Sequence, residues 1–233
     1  MSTNPPFRFL DLPPELRTRI YSELLDMDGD LFIYFEQCLR VQYRSRPSHH
    51  GEKPLITVGL LRTCKQIHSE ATPILYGSNT LGASRLHTVK FLQSIGSSIR
   101  HIRSFFLPHY GSQFGDVCKE LKKAPLIVNL SLTRLMLEEG IERLSQTLAP
   151  LMKSLNEAWN QNPDKKKKDV IEILHVDPGL LGSERAEREH TIAVAKKCEE
   201  EVKHALREKL GLAANSNMES KKEEIEGSKN VNI

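Results

Sequence analysis

The chain has 233 residues, enough for one sizeable core or for a small domain with an appendage. Its 39% apolar and 27% charged content is that of an ordinary soluble protein, and a net charge of +3 is too mild to argue for nucleic acid as partner. Four scattered cysteines without a CxxC pair argue against a disulfide framework, and no apolar run nears the roughly 20 residues a bilayer requires.

Residues Met1 to Pro6 read as disordered, and Phe7, Phe9 and Leu10 bring the chain onto a core. Asp11 is the expected N-cap of a first helix, with Pro13 and Pro14 in its opening turn, where a missing N–H costs nothing. Leu16, Ile20 and Leu24 fall at i, i+4 and i+8, widened by Tyr21 and Leu25, so this stripe is expected to frame the helical core. Arg17, Arg19 and Glu23 are assigned to the wet side. Leu31 to Phe35 is aromatic and β-branched and reads as a strand, which Val41 to Tyr43 can pair. Arg44 to Pro54 is a polar loop.

A second helix is expected from Gly59, with Leu60, Cys64, Ile67, Ala71 and Ile74 inward and Pro73 starting a fresh turn. Thr80-Leu81 suggests a short strand. Ser84 is placed to cap a third helix carrying Leu86, Val89, Leu92 and Ile95, which Gly96 ends. The rhythm then changes: strand Ile99–Leu107, helix Gln113–Lys123, strand Ile127–Leu137, helix Ile141–Asn160 and strand Val170–Val176. This alternation implies parallel pairing through crossovers, as in a short, irregular leucine-rich-repeat-like array. Ser183 to Leu210 is a charged helix with a thin apolar line at Ile192, Ala195, Cys198, Val202 and Leu206, and Ala213 to Ile233 reads as a disordered tail.

Two strings stand out: LPPELRTRIYSELL from Leu12 to Leu25, and LLRTCKQIHSEATPILYGSNTL from Leu60 to Leu81. The first resembles the opening of F-box and F-box-like domains. The second resembles fungal F-box-like proteins, in which R-x-C-K-x-I-x-x-E-A-x-P-x-L-Y precedes a short strand. The likeness covers Phe7 to about Leu107 and departs from the usual pattern at Leu81, where an aromatic is commoner. The segment Leu31 to Pro54 is an insert relative to the compact three-helix box. In that family the first helices dock onto a Skp1-type adaptor of a cullin-RING ubiquitin ligase, and a C-terminal repeat domain holds the substrate.

Other chemistries fail at particular positions. Gly77 to Ser84 mimics a phosphate loop, but Ala83 stands where lysine must reach the phosphates. Asp26, Asp28 and Asp30 imitate a calcium loop, yet Leu31 and Gln37 replace the required glycine and glutamate. Cys64 and His68, with Cys38, His49 and His50, do not make a closed zinc set, and Cys64 reads as a small core residue. No nucleophile elbow, HExxH or dinucleotide turn is present. Glu138-Glu139 and Glu199-Glu200-Glu201 read as solvated faces, and the Lys165–Lys168 run as a solvated loop.

The resulting expectation is an α+β protein: an F-box-like helical N-terminal region with an inserted β-hairpin, a βα leucine-rich-repeat-like array and a long C-terminal helix. Its segments are residues 7–96, 97–182 and 183–211, flanked by disordered residues 1–6 and 212–233. The expected role is a non-catalytic protein–protein interaction module, a substrate receptor in SCF-type ubiquitin ligation, with no cofactor and no metal. The candidate partner-binding residues are Leu12, Pro13, Leu16, Ile20 and Leu24, facing a Skp1-type adaptor. The N-terminus lacks a basic stretch followed by an apolar one, so no secretory leader is expected and the protein is assigned to the cytoplasm or nucleus. The rival readings are a scaffold using an exposed strip along Ile192 to Leu206, and a weak nucleic-acid binder using Lys165–Lys168 with Arg100 and Arg103.

Overall fold

The computed structural model describes residues 7–26, 30–36, 38–44, 58–83, 87–107, 113–133, 140–161, 169–178 and 185–212. Its fold mixes helix and strand. It divides into two units, Met1–Pro108 with Leu126–Leu130, and His109–Pro125 with Ser131–Ile233.

In the first unit, helix α1 (Pro14–Leu25) begins with Pro14 at its first position, where proline's fixed φ suits a helix and its absent N–H is not missed. Strands β1 (Asp30–Glu36) and β2 (Cys38–Arg44) form an antiparallel hairpin with Ile33 opposite Val41. Helix α2 (Lys65–Ser78) leads directly into β3 (Thr80–Ala83), followed by α3 (Thr88–Ser94) and β4 (Ser104–Leu107). Strand β3 lies parallel to both β1 and β4, Leu81 being opposite Leu31 on one side and Phe105 on the other. The strand order is β2-β1-β3-β4, so the insert extends the sheet as its outer hairpin. The core holds Tyr21, Leu25, Ala71, Leu75, Leu81, Leu92, Ile102 and Phe105, all at 5% exposure or less. Each of the leucine, isoleucine and phenylalanine side chains among them contributes about 1.5–3 kcal/mol relative to leaving it in water.

The second unit contains α4 (Phe114–Leu121), α5 (Ile141–Asn160), β6 (Leu174–Asp177) and α6 (Arg185–Leu210). It also contains the last three residues of β5 (Asn129–Thr133). Helix α5 buries Leu144, Leu148, Leu151, Met152, Leu155 and Trp159 along one side, the 3.6-residue pattern its sequence shows. Helix α6 packs on α5 and β6 and buries Ala195, Val202 and Leu206. Beside them Lys203, 4% exposed, reaches Glu199 at 2.8 Å and Glu172 at 3.1 Å. Burial works against the Lys203 charge, but these carboxylates outweigh it and hold the ammonium above its usual pKa. Glu199 also accepts the Val176 N–H of β6 at 2.9 Å, and Arg207 binds Asp169 and Glu172.

Several expectations need correction. The second helix does not run from Gly59: a 3-10 turn spans Val58–Arg62, Thr63 closes it onto the Leu60 carbonyl, and Cys64 adopts an extended backbone. The predicted strand Ile99–Leu107 is helical over Gly96–His101 and extended only from Ser104. Ile99 and Ile102 are buried three apart, the period of a 3-10 turn, which two β-branched residues ahead of the Phe105-Phe106 pair disguise. Val170–Ile173 is likewise a 3-10 turn, started by Asp169, whose Oδ1 accepts the Ile171 N–H at 2.9 Å. Glu199 belongs to the seam with Lys203 and β6 rather than to a solvated face. Ser84, Leu86, Glu138-Glu139, Lys165–Lys168, and the predicted disordered ends at 1–6 and 213–233 lie outside the described residues.

Candidate partner-binding surface

Helix α1 has two working faces, and they are not the ones its hydrophobicity suggests. The buried residues are Arg17, Tyr21 and Leu25, spaced four apart. Leu16 and Ile20, expected to frame the core, are 48% and 36% exposed. The helix is thus turned by one residue, about 100°, from the orientation its leucines suggest.

The turn is explained by Arg17. Its guanidinium meets the Glu70 carboxylate in a fork, Nε to Oε2 at 2.9 Å and Nη2 to Oε1 at 2.7 Å. A planar five-donor head matches a carboxylate in two parallel bonds, the strongest charge-assisted geometry available to side chains. Its remaining Nη1 donates to the carbonyls of Leu10 at 3.2 Å and Leu12 at 2.5 Å, tying down the chain ahead of α1. Leu12 and Leu10 therefore sit where Arg17 holds them, and Asp11 lies in a 3-10 turn while Pro13 is the N-cap.

Glu70 is the hub on α2. Besides Arg17 it accepts the Tyr21 hydroxyl at 2.9 Å and the Gln66 amide at 3.0 Å. Arg17 and then Gln66 hold its carboxyl down to about 2. In return the carboxylate raises the pKa of Arg17, and burial followed by the Glu70 bond pushes the Tyr21 phenol up to about 12. Phe9 packs against Tyr21 with ring centroids 5.7 Å apart.

The rest of the second string is explained by the same helix pair. Cys64 is exposed and is the N-cap of α2, its Sγ accepting the Ile67 N–H at 3.5 Å; it is not the core residue expected. The His68 ring nitrogen Nδ1 lies 3.0 Å from the Leu61 carbonyl. Asn79, fully buried, donates to the Leu25 carbonyl ending α1 and to the Leu75 carbonyl near the end of α2, both at 2.8 Å. One amide thereby satisfies orphan carbonyls of two helices. A side chain on Gly77 would come within 3.3 Å of the His101 carbonyl, so the glycine allows that backbone to approach. The segment that mimicked a phosphate loop is a helix end and a strand.

With Arg17, Tyr21 and Leu25 inward, α1 presents Leu16 and Ile20 outward. Pro13 is exposed, and Leu12 and Leu24 are half-buried at the margins of this stripe. Phe7 at 75% and Leu10 at 40% add exposed apolar surface ahead of the helix. These residues are the candidate partner-binding surface of α1. Among the described residues, no three His, Cys, Asp or Glu side chains gather to hold a metal ion, and no helix is long and apolar enough to cross a membrane.

Residues 2–91 match the family model of the F-box-like domain. The N-terminal part of the chain is therefore an F-box-like domain, a class of protein–protein interaction module. No curated protein matches the chain, and no solved structure matches it.

Proposed function

We propose that the protein is a non-catalytic substrate receptor of SCF-type ubiquitin ligation, working in the cytoplasm or nucleus. A Skp1-type adaptor docks on α1 through Leu16 and Ile20, bordered by Leu12, Pro13 and Leu24. The observation that supports this most is the outward apolar stripe of α1, left open because the Arg17–Glu70 clamp turns the helix. The second unit, with its helices α4 and α5 and strand β6, is the region that would take a target. Affinity purification with a Skp1-type adaptor is the test. Retention alongside a known F-box protein supports the reading; failure under conditions that retain that control overturns it.

The scaffold reading is weaker, because Ala195, Val202 and Leu206 are buried and only Ile192, at 38%, remains exposed on the line it needed.

A further inference from the structure

We propose that α6 is a strap: it lifts from the second unit as one segment while α5 stays folded, and in lifting it uncovers the outer edge of β6. In the strand order β6 stands last, beside β5, so its other edge has no strand among the described residues. Successive N–H groups of a strand point to opposite edges, so Leu174, Val176 and, just past the strand, Pro178 belong to one row. The Leu174 N–H is taken by the Ile171 carbonyl of the preceding 3-10 turn, and Pro178 has none to offer. That leaves the Val176 N–H, which Glu199 of α6 accepts at 2.9 Å. An unpaired strand edge invites a further strand, and a helix laid along it is one way of closing it.

The hold of α6 on that edge is coupled to one lysine. Glu199 receives Val176 on Oε2 and the Lys203 ammonium on Oε1 at 2.8 Å, so one carboxylate both closes the edge and binds the clasp. Lys203 also meets Glu172 of the 3-10 turn, Arg207 binds Asp169 and Glu172, and Lys209 reaches Glu142 of α5 at 2.6 Å. Such links are near break-even, because lifting α6 loses Coulomb attraction but returns the Lys203 charge to water. Apolar cover adds little. The buried apolar side chains of α6 among the described residues are Ala195, Val202 and Leu206, whereas α5 buries six large ones between Leu144 and Trp159. A segment with few buried apolar contacts opens at lower free energy than the core it rests on. Opening needs neither an adaptor nor a target, so it does not rest on the function proposed above.

Hydrogen exchange of the purified full chain, read at single amides by NMR in increasing sub-denaturing urea, tests the proposal. A lifted helix without packing frays, so its amides exchange when it opens. Amides between Ala195 and Leu210 and the amide of Val176 should share one opening, on the order of tenfold or more faster than those of α5. That opening should depend weakly on urea because it exposes little surface, while α5 shows the steep dependence of global unfolding. Lys203→Ala should speed exchange in α6 and at Val176 by one common factor, on the order of tenfold, and Lys203→Met, which keeps the apolar stem, by less. Exchange in α6 that matches α5 in rate and urea dependence would overturn the proposal. So would a Val176 amide that stays protected while α6 exchanges, or a Lys203→Ala effect on α6 that Val176 does not share.

Discussion

Arg17 and Glu70, 53 positions apart, close into a bidentate pair that joins the two halves of the sequence signature. Arg17 is 6% exposed, so its charge is retained inside only because the carboxylate and two backbone carbonyls receive its donors. Removing one partner leaves the other without its counter-charge. Arg17→Ala should lower the melting temperature clearly more than Lys119→Ala, which deletes an exposed i,i+3 pair with Asp116. Arg17→Lys should fall between them, since an ammonium cannot reproduce the fork. Differential scanning fluorimetry of the three variants checks the order.

The same pair gives stability a dependence on acid. Glu70 titrates near 2 in the folded chain against an ordinary 4.5. Its contribution is therefore complete above pH 4.5 and is lost as pH falls toward 2. Glu70→Gln should be less stable than wild type at neutral pH, and the difference should shrink through that window. Urea midpoints measured at pH 6, 4 and 3, as order-of-magnitude steps across the transition, read it directly.

Asn79 serves two helix ends with one amide. Asn79→Ala should cost about 1–3 kcal/mol, the usual penalty for stranding buried polar groups. Asn79→Asp should cost more at neutral pH, because a carboxylate cannot donate to the Leu25 and Leu75 carbonyls and is repelled by them. Equilibrium unfolding of both variants distinguishes a donor from a mere space-filler.

In the second unit, Lys203→Ala should destabilise by about 1–3 kcal/mol, below the full value for a sealed ion pair because Glu172 keeps access to water. Lys203→Met preserves the stem that packs beside Val202 and Leu206 and should recover part of the loss. The amide of Val176, bonded to Glu199, should exchange faster in Lys203→Ala, and hydrogen exchange resolves it.

Much of this fold is legible in the sequence. The helix Ile141–Asn160 has the predicted ends, and the Leu31–Tyr43 hairpin pairs as its composition suggests. The orientation of α1 was not legible, for a physical reason. Hydrophobic periodicity places leucines inward and arginine outward, and this holds only when a charge has no buried partner. Arg17, Tyr21 and Leu25 have the same spacing as Leu16, Ile20 and Leu24, so spacing cannot choose between the stripes. The missing signal was Glu70, a carboxylate in the second string with an arginine and a tyrosine in the first to hold it. Cys64 is hidden for a related reason: its apolar neighbours suggest a core position, while the capping role depends on the helical path ending at Thr63.

In the function proposed above, the outward stripe of α1 engages a protein partner. Calorimetric titration of a purified Skp1-type adaptor into wild type and into Leu16→Ser/Ile20→Ser tests it most directly. Both serines lie on exposed positions, so the melt should be nearly unchanged. Wild type should bind, and the double variant should lose affinity on the order of a hundredfold. Equal affinity for the two proteins, with both folded, would contradict it.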